Sequence, residues 1–284
     1  MTRPHIEFIQ AQVLPWRQGL YGGARPDVEV KTLSMDDENG DSSLILRYPP
    51  GWTRPEPECL SVDEEIYILD GKIEINGIVY RENCYAYLPA GYVRRNAAAP
   101  GGAVALTFFT GEPRTETADP ARESFDESLL VQFRDILEMP WETVGIDSNL
   151  DYLRPGKKYL WTHPRTGEKT NLFCYMPHSH PEGWKGIKET HPVVEECFVL
   201  TGQITGHVGQ RRTGAYYWRP PGIQHGPFGS LTGAVALFRI RGGPLVNLWS
   251  EDEVPFAFDP GHNPVLPPGL RELGMKEWQG IERY

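Results

Sequence analysis

The chain has 284 residues, with 28 Lys+Arg against 38 Asp+Glu, a formal charge of −10, and no run of five or six like charges of either sign. That balance excludes a polyanion-binding face, which needs clustered cations to release counterions, so nucleic acid and anionic membrane are set aside as partners. At 39% hydrophobic and 23% charged, with 30 Gly and 26 Pro, the composition is globular and predicts an all-β protein of many short elements joined by tight turns.

The N-terminal MTRPHIEFIQ has no apolar core of the kind a secretory leader carries, and nowhere do about eighteen apolar residues follow one another, which predicts a cytoplasmic protein. Short β-branched or aromatic runs come next, at Ser43–Tyr48, Glu65–Leu69, Lys72–Asn76 and Ala103–Phe109, with Asp70-Gly71 expected as a hairpin turn. The polar Thr115–Asp126 stretch reads as an exposed connection and places a domain boundary at 120/121. Leu129–Leu137 is the best helix candidate in a chain where helix is scarce. Strands follow at Asn171–Met176, Glu196–Thr201, Gln203–Val208, Ala215–Arg219 and Ala234–Arg241, with Thr201-Gly202 as a second hairpin turn. Cys59, Cys84, Cys174 and Cys197 lack CxxC spacing and read as reduced thiols.

The chain repeats itself once. Gly-Ala-Val-Ala-Leu at 102–106 recurs at 233–237, an offset of 131 that also carries Glu64-Glu65 onto Glu195-Glu196, Gly71 onto Gly202 and Pro89-Ala-Gly91 onto Pro220-Pro-Gly222. This predicts a duplicated domain, residues 1–120 and 121–284, each copy closing its short strands into a sandwich or barrel.

Chemistry concentrates in the second copy. Glu189-Thr-His191, then Glu195 and Gly202, are followed by Gly214, Pro220-Pro-Gly222 and His225. Residues two apart on a strand face one side, so Glu189 and His191 can point together into a barrel. This pattern resembles the cupin superfamily: His191, Glu195 and Gly202 match the spacing of its first motif, and Gly214, Pro220, Gly222 and His225 match its second. The resemblance covers nearly the whole chain as a bicupin. It implies two tandem jelly-roll barrels, a divalent metal held by His191, Glu195 and His225 in the C-terminal one, and a fourth candidate ligand in Glu189, which stands where the family has its first His. If uncoordinated, Glu189 becomes the candidate general base. Two imidazoles and a carboxylate suit Fe(II) beside O₂ and a substrate, with Mn(II), Zn(II) and Ni(II) as other occupants.

Seven positions agreeing with two spaced motifs weigh against reading these residues as ordinary surface polar groups. His178 and His180 form a second His-x-His at the wrong spacing to Glu195, expected on a loop, with His180 kept as a substrate-contact candidate. Cys197, Tyr217 and Phe228 are candidate pocket residues, though plain barrel core is the commoner role for any one of them. Arg239 and Arg241 share a strand face and are expected to be solvated. In the first copy Glu58, Leu60, Glu64 and Arg94 occupy the corresponding positions, which predicts a lost metal site with Arg94 paired to Glu64, or else an anion pocket on Arg94.

The expected activity is a non-haem Fe(II) dioxygenase acting on a small aromatic or enolisable carbonyl compound, the resemblance being to cupins that cleave diketones or hydroxyacetophenones. The rivals are a redox-neutral isomerase or lyase and a non-catalytic ligand sensor. Composition permits a homodimer.

Overall fold

A computed structural model describes residues 3–118, 125–178, 180–280 and 284. The longer strands in the first half are β1 (Ile6–Gln10), β2 (Glu29–Met35), β3 (Asp41–Tyr48), β4 (Glu64–Ile75), β5 (Ile78–Arg81), β6 (Cys84–Leu88), β7 (Ala103–Thr110) and β8 (Val131–Asp135). The second half carries β9 (Gly156–Thr162), β10 (Lys169–Tyr175), β11 (Lys185–Thr190), β12 (Val194–Gly206), β13 (Gly209–Arg212), β14 (Ala215–Arg219), β15 (Ala234–Arg241) and β16 (Leu248–Pro255). One short helix, α1 (Pro268–Gly274), follows. Among the described residues no helix is long and apolar enough to cross a membrane.

The fold is all-β, with jelly-roll topology in two compact units. One comprises residues 1–3 and 15–139, the other residues 4–14 and 140–284. The expected boundary at 120/121 lies outside the described residues.

The main sheets have the same strand order. In the first unit it runs β8-β6-β4-β7-β3-β2, and in the second β1-β14-β12-β15-β10-β9. Each strand of one list corresponds to the strand at the same place in the other, as the sequence repeat requires. One pair is exchanged: β1, from the start of the chain, edges the second unit's sheet, while β8, from the start of the second copy, edges the first's.

Two sequence expectations are corrected. Leu129–Leu137 is not a helix: Val131–Asp135 pairs with β6, flanked by 3₁₀ turns at Glu127–Leu129 and Ile136–Glu138. The carboxylates of Asp126 and Asp135 accept from the Ser128 and Leu137 backbone N–H groups and start those turns instead of a longer helix. Nor are Asp70-Gly71 and Thr201-Gly202 hairpin turns. Each lies inside a long strand, β4 or β12, at a bulge where the register to β7 or β15 shifts. Gly71 and Gly202 have φ of 70° and 81°, and a Cβ there would overlap the carbonyl oxygen of Gly102 or Gly233. Beyond the bulge each strand pairs with a different neighbour, β5 or β13, and so passes into the second layer of its barrel. The hairpin of the first copy is at Asn76-Gly77, where Ile75 faces Ile78 and both turn residues have positive φ.

Inward side chains of each copy form its core. In the first these include Leu44, Leu46, Ile66, Ile68, Ala105 and Phe109. In the second they include Phe173, Tyr175, Cys197, Val199, Tyr217 and Phe228.

Candidate metal centre

Glu189 lies in β11 and His191 directly follows it. The backbone N–H groups of Glu189 and His225 donate to one another's carbonyls at 2.9 and 3.0 Å, which brings the two motifs together, and Gly222 N–H donates to the His191 carbonyl at 2.9 Å. The first copy keeps both tethers at the offset of 131, Glu58 with Arg94 and Gly91 with Leu60.

The imidazoles are set in one tautomer. Nδ1 of His191 is 3.1 Å from the Val246 carbonyl, and Nδ1 of His225 is 2.9 Å from that of Ile223. A carbonyl only accepts, so each Nδ1 carries the proton and each Nε2 keeps its lone pair. Both Nε2 atoms are buried without a hydrogen-bond partner, an arrangement costly unless something electrophilic meets them. One ligand atom from each of Glu189, His191 and His225 lies within 4.8 Å of the others. These residues fit a divalent ion.

Glu195 adjoins this set and is shared with a cation behind it. Its Oε1 is 3.8 Å from His191 Nε2 and its Oε2 is 3.5 Å from His225 Nε2, but Oε2 also accepts from Arg219 Nη1 at 2.5 Å. Burial alone would raise its pKa; the Arg219 guanidinium, with the two imidazoles, outweighs burial and brings it down to about 2. Glu189 goes the other way, pushed up to about 8 by burial and by the Glu195 charge. Burial and Arg219 lower His225 to about 3.

Arg219 is itself clamped from behind by β1. Its Nε and Nη2 donate to Glu7 at 2.6 and 2.5 Å, and Arg211 Nη2 donates to the same carboxylate at 2.8 Å. All four charges of this Arg211–Glu7–Arg219–Glu195 chain are buried. Sequence reading missed Glu7, Arg211 and Arg219. The available signal was parity: Arg219 is two residues from inward Tyr217 in β14, so a charge had to face the barrel interior.

A cavity of about 360 Å³ opens onto the site, lined by Glu189, His191, Glu195, Tyr217 and Phe228 together with Lys157, Lys169, Asn171, Phe173 and Phe238. Tyr217 and Phe228 are thus among the residues lining the cavity. Cys197 is in the core and His180 lies elsewhere, stacked on Trp184 at 3.7 Å between ring centroids; neither is among the residues lining the cavity. Arg239 is buried on Glu196 at 2.5 Å instead of solvated, because Glu196 lies opposite it on β12. Arg241 packs over the Trp161 ring.

In the first copy Arg94 Nη2 donates to Glu64 at 2.9 Å, and Arg25, unremarked in the sequence, adds two bonds to the same carboxylate at 2.5 and 2.8 Å. By the offset of 131, Arg94 stands at the position of His225 and Leu60 at that of His191.

Fold and site together define a cupin-type barrel protein with a residue set able to hold a metal. The sequence matches the family described as Domain of unknown function (DUF4437) over residues 16–243, and the chain belongs to that family. No curated protein matches it in sequence. Among solved structures it is similar to a protein of Nostoc punctiforme provisionally described as a dioxygenase, with TM-score 0.73 and 17% identity over 90% of this chain and 91% of that one. It is also similar to Escherichia coli protein YlbA, of family DUF861 (0.52, 12%, 83% and 90%), and to a deletion mutant of Bacillus subtilis oxalate decarboxylase (0.51, 12%, 85% and 78%). At these identities the likeness establishes the fold.

Proposed function

We propose that the C-terminal barrel is the active site of a metal-dependent enzyme, a non-haem Fe(II) dioxygenase of a small organic substrate, and that the N-terminal barrel is a companion that has lost its metal. The observation that carries this is the pair of buried Nε2 atoms without hydrogen-bond partners beside the Glu189 carboxylate, next to a cavity that Glu189 and His191 line. His191, His225 and Glu189 would hold the ion, with Glu195 beside them. A bound divalent ion supplies a Lewis acid at the cavity wall, and iron adds redox chemistry with O₂.

The protein's own residues do the rest. The Val246 and Ile223 carbonyls hold both imidazoles ready to coordinate. Arg219 holds Glu195 ionised and oriented. Glu189, shifted towards neutral pH, is placed to take a proton from a substrate when it is not engaged as a ligand. Phe173, Tyr217, Phe228 and Phe238 supply the apolar part of the cavity wall. The Nostoc likeness supports an oxygenase. The first copy offers Glu58, Leu60, Glu64 and Arg94 where the second has its ligand set, and its buried ion pairs leave no free imidazole there.

The test is elemental analysis of purified protein after growth and reconstitution with Fe(II), Mn(II), Zn(II) and Ni(II), followed by oxygen-electrode measurements with enolisable carbonyl compounds. About one ion per chain in wild type, lost in His191→Ala and His225→Ala, with O₂ consumed on turnover, is expected. Turnover without O₂ uptake would replace the oxygenase by a redox-neutral lyase, the chemistry named for the decarboxylase neighbour. No metal under any condition would overturn the enzyme reading.

A further inference from the structure

The cavity contains two cations that the metal site does not use. Lys157, in β9, is 8% exposed, and Lys169 begins β10; both line the cavity. Lys169, Asn171, Phe173 and Tyr175 alternate along β10 and all face the same interior. Among the described residues no carboxylate lies within 4.0 Å of either ammonium. Lys157 rests over the Phe173 ring at 5.6 Å, and Lys169 is 6.0 Å from the Tyr159 centroid. Their pKa values reflect this lack of partners. Burial, with the charge of Lys169, lowers Lys157 to about 8, and burial also lowers Lys169.

The charge balance of the cavity points the same way. Glu195 is neutralised by Arg219. Glu189 and Asp147 remain against the two lysines, and Asp147 is already taken up by the Trp249 indole N–H at 2.9 Å and the Asn149 backbone N–H at 2.9 Å. With a divalent ion on Glu189 and the imidazoles, the cavity holds two positive charges in excess. A buried excess of this kind is stabilised by an anion that brings its own hydrogen-bond acceptors.

We infer that Lys157 and Lys169, with Asn171 beside them, form a carboxylate-binding subsite, so that the substrate is a small organic acid whose apolar part packs on Phe173, Phe238 and Phe228. The inference rests on the proposed role of this cavity as the substrate site. A volume of about 360 Å³ is at the small end of ligand pockets and limits the acid to one ring or a short branched chain.

Isothermal titration calorimetry of wild type with acetate, isobutyrate and benzoate, each against its neutral amide, tests this. Each pair differs in charge and little in shape. At least one acid is expected to bind about tenfold more tightly than its amide, and Lys157→Met and Lys169→Met are each expected to remove about tenfold of that affinity, with Lys157→Arg and Lys169→Arg retaining most of it. Metal content and melting temperature are measured on the same preparations. Equal or absent binding of acids and amides overturns the subsite, and so does an acid preference that survives the double Lys157→Met, Lys169→Met variant. Metal uptake with no acid preference refutes this inference alone. Lysine-dependent acid binding without metal uptake refutes the enzyme reading and leaves the subsite standing.

Discussion

Replacing Glu7 with Gln removes one charge from a fully buried part of the second barrel. The Glu7 carboxylate accepts from Arg219 Nε and Nη2 and from Arg211 Nη2, at 2.6, 2.5 and 2.8 Å. Without its charge, two buried guanidinium ions share Glu195 alone. Removing one partner of a buried ion pair costs about 3–5 kcal/mol. The amide keeps an acceptor oxygen, which places Glu7→Gln near about 3 kcal/mol, at the low end of that range. For a unit of this size each kcal/mol moves the melting temperature by about 2–4 °C, so a fall of roughly 6–12 °C is expected. Circular-dichroism melts of chelator-treated wild type and variant measure it. Adding Arg211→Met to Glu7→Gln is expected to recover part of the loss, since it removes one of the stranded cations. A Glu7→Gln melting temperature equal to wild type would refute the claim that these four charges act as a unit.

Three further outcomes follow from the same geometry. Gly202→Ala puts a Cβ against the Gly233 carbonyl at a φ of 81°, and is expected to cost about 3–5 kcal/mol in denaturant titration from backbone strain and overpacking together. Arg94→Met leaves Glu64 its two bonds from Arg25; it is expected to destabilise by about 1–3 kcal/mol while leaving metal content unchanged. Lys157, facing Lys169, Glu189 and Asp147, titrates near 8 in the folded chain against its ordinary 10.5. Its burial penalty is therefore full below pH 8 and relieved as pH rises to 10.5, so its contribution to stability increases over that window while benzoate affinity falls. Lys157→Met is expected to make that fall shallower in calorimetric titrations from pH 6 to 9.5, the rest coming from Lys169 and Glu189.

Much of this was legible in the residues because duplication doubles the signal. Glu195 and His225 could be located by counting 131 from Glu64 and Arg94, and the backbone pairing of Glu189 with His225 repeats that of Glu58 with Arg94. The strands Ala215–Arg219 and Ala234–Arg241 fall on the residues that their β-branched and aromatic runs predict. Local patterning failed where a distant element decided. Asp70-Gly71 looks like a turn, but the glycine is needed because another strand's carbonyl lies against it. Leu129–Leu137 has helical content, but the edge of β6 takes it as a strand. Glu7 and Arg219 are 212 residues apart, and no spacing rule joins them. Glu189, which departs from the expected histidine, lies with His191 and His225, while Glu195 leans on Arg219.

The exchange of β1 and β8 decides how this chain can be divided. A gene cut at the repeat boundary would yield two polypeptides, each carrying the other's first strand. The piece from 140 onward would hold every imidazole of the centre and yet expose the bare edge of β14, with Arg219 facing an absent Glu7. Only a peptide spanning residues 4–14, supplied in trans as a donor strand, would close that edge and restore the counter-charge. The copy that carries the candidate metal site is therefore no detachable module: its inheritance, expression and engineering all require the first fourteen residues of a chain whose first half contributes none of the residues of that site.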